Sequence, residues 1–261
     1  HIAGAYLTPG LIAFYSFVLI IVGPGLLKFH LIMIFLGGLS VGAIYGAARL
    51  AFDRRIAFLA GFIAALFPTL IFYHTTLQIA SLATSLVAFT VFFVMWTLKQ
   101  PIVIRAALLG FTIGVGSLVR STLLIFLPAV WIAFLLPSGR KQRLTATIIV
   151  TIFCVVAIAP QILANRSVGS TDLISGNGPI NLIIGNNRQA SGVYENRSIV
   201  EMARVEHQYN HTSLTRIALE EIVADPLRFA QITLRKLGFF FGSVDVPNVA
   251  DYYTQGLEPS S

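Results

Sequence analysis

A chain of 261 residues with 56% hydrophobic and only 11% charged side chains, and a mean hydropathy of +0.81, is too apolar for a soluble fold, in which roughly 25% of residues are charged. The formal net charge of +7 is unevenly spread: residues 1–163 hold ten Lys and Arg against the single acid Asp53, whereas residues 164–261 hold eight cations against ten acids. This pattern belongs to loops beside a bilayer and not to a nucleic-acid groove, because no basic stripe interleaves with aromatics on a polar face; the lone Cys154 excludes disulfides and thiolate metal sites.

The chain opens at His1 without an initiator Met, a charged leader or a signal-peptide pattern, and it is expected to be incomplete at both ends. The first apolar run, Leu11–Val22, lies between Pro9-Gly10 and Gly23-Pro24-Gly25. It is shorter than the roughly 20 residues a span needs and is expected to lie along the outer interface or re-enter. Six further stretches read as spans: Leu31–Leu50, Ile56–Tyr73, Leu77–Leu98, Ile102–Val119, Thr122–Leu136 and Leu144–Leu163. Arg105, near one end of the fourth, is placed to snorkel to the interface. Eight cations (Arg49, Arg54, Arg55, Lys99, Arg105, Arg140, Lys141 and Arg143) fall in alternate loops, and the opposite loops carry only Lys28 and Arg120. The positive-inside rule makes the first set cytoplasmic and puts residues before 31 and after 163 on the other side. Gly38, Gly42 and Gly46 form a small-residue stripe, and Gly110 with Gly114 forms another; both predict close helix packing.

After Leu163 the composition changes. Residues 164–197 are rich in Asn, Gly and Ser, with a strand-like run at Asn181–Ile184. Leu214, Ile217, Ala218 and Ile222 then share a helical face, with Thr212 or Ser213 as cap, and Asp225-Pro226 restarts a helix running to Arg235-Lys236 and the Phe triplet. The predicted fold is mainly α: a polytopic transmembrane bundle of about six spans plus an interfacial helix, carrying a small extracytoplasmic α+β segment. Residues 1–30 form the end of an outer loop, 31–163 the bundle, 164–236 the extracytoplasmic segment, and 237–261 the start of a further hydrophobic element.

Few residues offer chemistry. Arg120 stands between two apolar runs on the side where cations are avoided, and an ionisable residue at the edge of a span is a functional candidate. Its forked, permanently charged guanidinium suits a phosphate. His74, Thr75, Thr76 and Gln78 cluster in an outer turn, as a hydroxyl or phosphate contact or as a satisfied interfacial turn. Asn177, Asn181, Asn186 and Asn187 lie close together; carboxamides suit sugar hydroxyls and equally suit turns. No nucleotide-phosphate loop, nucleophile elbow or metal-spaced cluster occurs, and no convincing general base is present.

These features, in order, resemble the GT-C superfamily of polytopic glycosyltransferases, in the branch of lipid-A aminoarabinose transferases and protein O-mannosyltransferases. The likeness runs through Ala48–Arg55 with Ala57–Gly61, the turn Leu70–Leu77, the Gly-rich span Gly110–Pro128 containing Leu118-Val119-Arg120, the stretch Ala159-Pro160 through Gly178–Asn187 to Ala190-Ser191-Gly192, and the tail Asp225–Lys236. Ser121 stands where Pro is common, and Ala164-Asn165 replaces an Arg-Asn pair. The resemblance implies an integral membrane enzyme, with the bacterial inner membrane as its expected location. It implies transfer of a sugar, with inversion, from a polyprenyl-phosphate carrier to an acceptor on the outer side, and a divalent metal in some members. It puts the catalytic carboxylate upstream of His1, the donor phosphate at Arg120, and weaker substrate contacts at His74, Gln78, Asn181, Asn186 and Asn187. The alternatives are a non-enzymatic transporter or lipid flippase, expected to show broken spans or mid-membrane ionisable groups, and a degenerate relative without its base.

The topology is checked by labelling in a Cys154→Ser background. Arg188→Cys is expected to react with an impermeant thiol reagent from outside, and Lys141→Cys only after permeabilisation; the reverse pattern inverts the predicted orientation.

Overall fold

The computed structural model describes residues 8–76, 78–135, 140–167, 174, 177–186, 190–192 and 214–242. The chain divides into two compact units, His1–Ser175 and Gly176–Ser261. The first contains α1 (Pro9–Val22), α2 (Leu26–Ala51), α3 (Arg54–Leu66), α4 (Pro68–Thr75), α5 (Ile79–Lys99), α6 (Val103–Val119), a 3-10 turn (Ser121–Ile125), α7 (Phe126–Leu135) and α8 (Arg140–Ser167). The second contains α9 (Asn177–Asn186), α10 (Leu214–Ala224) and α11 (Pro226–Phe241). The molecule is thus the mainly-α polytopic bundle that composition predicts, as it must be where no water satisfies peptide groups outside hydrogen-bonded helices. The run Asn181–Ile184, read as strand-like, lies inside α9, and no strand occurs among the described residues. Its Leu-Ile-Ile core is β-prone by composition, but local helical bonding overrides that weak preference.

Three helices, α2, α5 and α8, are long and apolar enough to cross a bilayer, and α3 with α4, bent by 51° at their break, is so only as a pair, as a broken span or a re-entrant loop would be. The bend sits at Phe67, whose extended backbone (φ −71°, ψ 113°) precedes Pro68, as expected where a proline disfavours helical geometry in the residue before it. The remaining two predicted spans are the 17-residue α6 and the 3-10 turn with the 10-residue α7. At 1.5 Å per residue α6 extends about 25 Å, short of a hydrocarbon core of about 30 Å. Sharp entries and exits come from sequence. Gly23 (φ 75°) and Gly25 (φ 149°) turn the chain between α1 and α2 in backbone regions that side chains disfavour, and the Asp53 carboxylate caps α3 by accepting from Ile56 N at 2.8 Å.

The core is held by α6. Ala106, Leu109 and Ile113 of α6 meet Val130 and Phe134 of α7 and Ala146, Val150, Cys154 and Ile158 of α8. Gly110 and Gly114 allow this approach: a Cβ on Gly110 would collide with Val150 O, and one on Gly114 would lie 2.7 Å from Cys154 O. The second stripe behaves differently from expectation. Gly46 packs on the Phe92 ring, but Gly38 and Gly42 have nothing within 4 Å of an added Cβ; the close contact nearby is made by Gly37, against His74. Arg105 folds over the Trp96 ring, 4.5 Å from its centroid, and reaches Trp96 O at 3.3 Å. Many large side chains, such as Ile20, Phe35, Phe58 and Ile104, stay exposed, as a lipid-facing surface should.

In the second unit Asp225 caps α11 through Arg228 N at 3.0 Å, with Pro226 at the first helical position, as the sequence predicts. The helix continues unbroken to Phe241. The α10 caps proposed at Thr212 or Ser213 lie outside the described residues.

Gly110→Ala is expected to force α6 from α8 and cost about 1–3 kcal/mol as an overpacked contact, seen as a lowered Tm in detergent. Gly42→Ala, with open space at its Cβ, is expected to leave Tm unchanged or slightly raised; equal losses would disprove the packing assignment.

Candidate functional site

Arg120 occupies the joint between α6 and the 3-10 turn. Its backbone is extended (φ −145°, ψ 109°), its N–H donates to Gly116 O at 2.8 Å, and its carbonyl accepts from Leu123 N at 2.9 Å. The main chain is therefore fixed on both sides while the side chain stays exposed. Among the described residues its guanidinium has no hydrogen bond or ion pair. Lys28, at the start of α2, is spent: its Nζ donates to Val22 O at 2.7 Å and closes the C-terminus of α1.

The first turn of α1 abuts the last turn of α6 directly. A Cβ on Gly10 would lie 2.6 Å from both Leu118 C and Val119 N, so only glycine permits the approach. Leu11 and Phe14 of α1 pack on Val119, Leu82 and Ala83. The Thr8 side chain makes no capping bond to α1, and its buried Oγ1 has no partner among the described residues. A helix N-terminus carries partial positive charge; in α1 Pro9 has no N–H, and the Leu11 and Ile12 amides already donate to Thr8 O at 3.1 and 3.3 Å. Arg120 thus follows immediately on the residues that α1 touches, and a guanidinium and a helix N-terminus share one region. Both favour an anion.

His74 is elsewhere. It is buried in α4, its ring flat against Gly37. The Nδ1–H donates to Leu70 O at 2.7 Å, since a carbonyl can only accept. Nε2 lies 3.0 Å from Ser85 Oγ, which also lies 3.0 Å from Ser81 O. Both ring nitrogens are engaged. Thr75 and Thr76 return their hydroxyls to Phe72 O at 2.8 and 3.2 Å. Gln78 sits half-buried at the start of α5 and receives the Ser81 hydroxyl on its carbonyl at 2.6 Å. Ser85 and Gly37 escaped the sequence reading. The signal for the first was the pair Ser81 and Ser85, four apart within an apolar run and both fully buried.

A cavity of about 470 Å³ lies among α2, α3, α4 and α5, with His74 at its edge; Arg120 does not line it. The predicted contacts His74 and Arg120 are therefore not brought to one cavity.

In the second unit, Asn181 is exposed on α9. Asn186 donates Nδ2–H to Leu182 O at 2.8 Å and lies 3.5 Å from Lys236 Nζ, which donates to Gly185 O at 2.8 Å. Burial holds the Lys236 ammonium below the ordinary lysine range. Asn187 lies outside the described residues. No three of His, Cys, Asp and Glu gather among the described residues, so no side chain is assigned to a metal.

The sequence profile of the dolichyl-phosphate-mannose-protein mannosyltransferases matches residues 8–163, from Thr8 at the start of α1 to near the end of α8. No curated protein and no solved structure matches the chain.

Proposed function

Since the chain belongs to the dolichyl-phosphate-mannose-protein mannosyltransferase family, and so to the membrane glycosyltransferases of GT-C type, we propose that it binds a polyprenyl-phosphate sugar as donor and holds the phosphate at Arg120. The observation that carries this reading is the meeting of α1 and α6: the guanidinium follows the helix end against which the Gly10 backbone rests. The guanidinium supplies a fixed positive charge, and the α1 N-terminus adds the partial positive charge of its dipole.

In the proposed reaction an acceptor hydroxyl attacks the anomeric carbon. The bond from that carbon to the phosphate oxygen breaks, the configuration inverts, and the lipid phosphate leaves with the bonding pair. Negative charge grows on the leaving oxygen, where a preorganised donor acts more strongly in the transition state than in the ground state. The acceptor proton needs a base, and the acid of residues 1–163 does not serve. Asp53 caps α3 at the opposite end of the bundle from Arg120, by the alternation of helix directions from α2 to α6. Of the described acids after residue 163, Glu220 pairs with Arg216 at 2.8 Å and Asp225 caps α11; we assign the base to a carboxylate outside the described residues and put Arg120 and residues 164–236 on the extracytoplasmic face. Gln78, Asn181, Asn186 and Asn187 are kept as weaker candidate contacts for sugar or acceptor, whereas His74, named with them from the sequence, is buried with both ring nitrogens engaged.

A second reading, a lipid transporter, draws support from the 51° break between α3 and α4, since broken spans mark transport sites. Against it, the broken pair carries no Asp, Glu, Lys or Arg beyond Arg55, and the ring nitrogens of His74 are both engaged.

Sugar transfer from a synthetic polyprenyl-phosphate mannose by the full-length protein tests the assignment. Arg120→Ala is expected to lower kcat/KM by about 100–1,000-fold, the usual loss when one charge-stabilising donor is removed, and Arg120→Lys to recover part of it. Wild-type rates in Arg120→Ala would overturn it; lipid translocation without sugar transfer would favour the transporter.

A further inference from the structure

Helices α6 and α8 run parallel, and their packing fixes where α8 begins. Gly110 of α6 rests on Val150 of α8, and Gly114 rests on Cys154 one turn further on. Continued back along both helices, the same offset sets Arg143 level with Val103, the first residue of α6. Arg120 closes α6 at the far end. Arg143 stands seven residues before Val150 and eleven before Cys154, a spacing that puts it on the α8 face turned to α6.

The Arg143 side chain is half-buried. Its Nη1 is closed off from solvent and has no hydrogen-bond partner among the described residues. A guanidinium keeps its charge throughout, and a charged donor held away from water without an acceptor is strongly disfavoured. The group calls for a negative acceptor, and this end of the bundle has none to give. Asp53 is the only acid of residues 1–163, and its carboxylate already accepts from Ile56 N at 2.8 Å. Neither α6 nor α8 has an acid in its first turn. The charges nearby share one sign: Lys99 and Lys141 are exposed, and Arg105 is held over the Trp96 ring.

The surface beside Arg143 says which anion fits. Ile104, Leu108 and Phe111 of α6 and Leu144, Ile148 and Ile152 of α8 are exposed, an apolar strip that acyl chains cover in a bilayer while the phosphates of the same lipids stand level with the helix ends. A soluble anion would leave that strip unmatched. A zwitterionic lipid would bring a second ammonium to a place already rich in cations. We propose that Arg143 binds the phosphodiester of an anionic phospholipid whose chains lie along α6 and α8, with Lys99, Arg105 and Lys141 contributing field and not contact. This site lies at the opposite end of α6 from Arg120 and is independent of the transferase reading. A lipid held there stabilises the folded chain by mass action.

The test titrates the full chain in detergent with phosphatidylglycerol, phosphatidylcholine or inorganic phosphate, counting bound lipid by native mass spectrometry and following Tm in parallel. The wild-type protein is expected to prefer phosphatidylglycerol to phosphatidylcholine by about tenfold and to gain Tm with phosphatidylglycerol alone. Arg143→Gln is expected to lose about tenfold in phosphatidylglycerol affinity and with it the gain in Tm. Its Tm without lipid is expected to stay at or above the wild-type value, because an unpaired buried charge has gone. Arg143→Lys is expected to keep part of the preference. Arg54→Gln, which removes an exposed cation at the start of α3, is expected to change affinity by less than about twofold. Equal wild-type affinity for the two lipids would overturn the proposal, and that comparison needs no variant to fold. So would equal losses in Arg143→Gln and Arg54→Gln, the mark of a diffuse attraction to the whole rim, or displacement of the lipid by inorganic phosphate at equal concentration, the mark of a soluble anion. A lowered lipid-free Tm in Arg143→Gln would reveal a partner for the guanidinium within the chain and remove the site.

Discussion

Backbone-to-backbone contact around α6 is the constraint on which the bundle depends. In a bilayer, helices gain little from hiding apolar side chains, because lipid is equally apolar, so their association relies on close packing and on small residues that permit it. Gly110 and Gly114 bring α6 onto Val150 and Cys154 of α8, and Gly10 brings α1 onto Leu118 and Val119 of the same helix. One short helix is thereby held from two directions. Arg120 is the residue at which it ends, so the position of the guanidinium is set by contacts made without charge.

The polar groups inside the bundle follow one rule. Serine and threonine hydroxyls along α2, α5, α6 and α8 return to carbonyls three or four residues earlier, as at Ser40, Thr84, Thr90, Thr97, Ser117 and Thr147. His74 joins this economy with one bond to its own helix and one to Ser85. Each group satisfied in this way leaves an interior with few free donors. Against that background Arg120, exposed and without a partner among the described residues, keeps its guanidinium available to an anion at the joint that follows α6.

The sequence made the helical class legible because bilayer solvation leaves so few alternatives, and hydropathy with loop charge marked where the helices lie. The cap at Asp225 was equally readable, whereas that at Asp53, whose carboxylate likewise accepts from the amide three residues on, was not read. Tertiary choices were not. The stripe Gly38, Gly42 and Gly46 has one periodicity, yet Gly46 packs on Phe92 while its two fellows face open space; periodicity names a face without naming its neighbour. The α9 helix overrode the strand preference of Leu182-Ile183-Ile184. Arg120 was visible as a lone cation between two apolar runs, but the approach of Gly10 came from a contact more than a hundred residues distant. His74 stood out as polar, and only its three-dimensional partners Gly37 and Ser85 show it bonded and buried.

The claim at the centre is that Arg120 recognises the charge of a lipid phosphate. Competition binding in nanodiscs between polyprenyl phosphate and uncharged polyprenol of equal length isolates that charge from the chain. The account predicts a clear preference of the wild-type protein for the phosphate, weakened by salt and abolished in Arg120→Gln while polyprenol binding is retained. An unchanged preference in Arg120→Gln would contradict it.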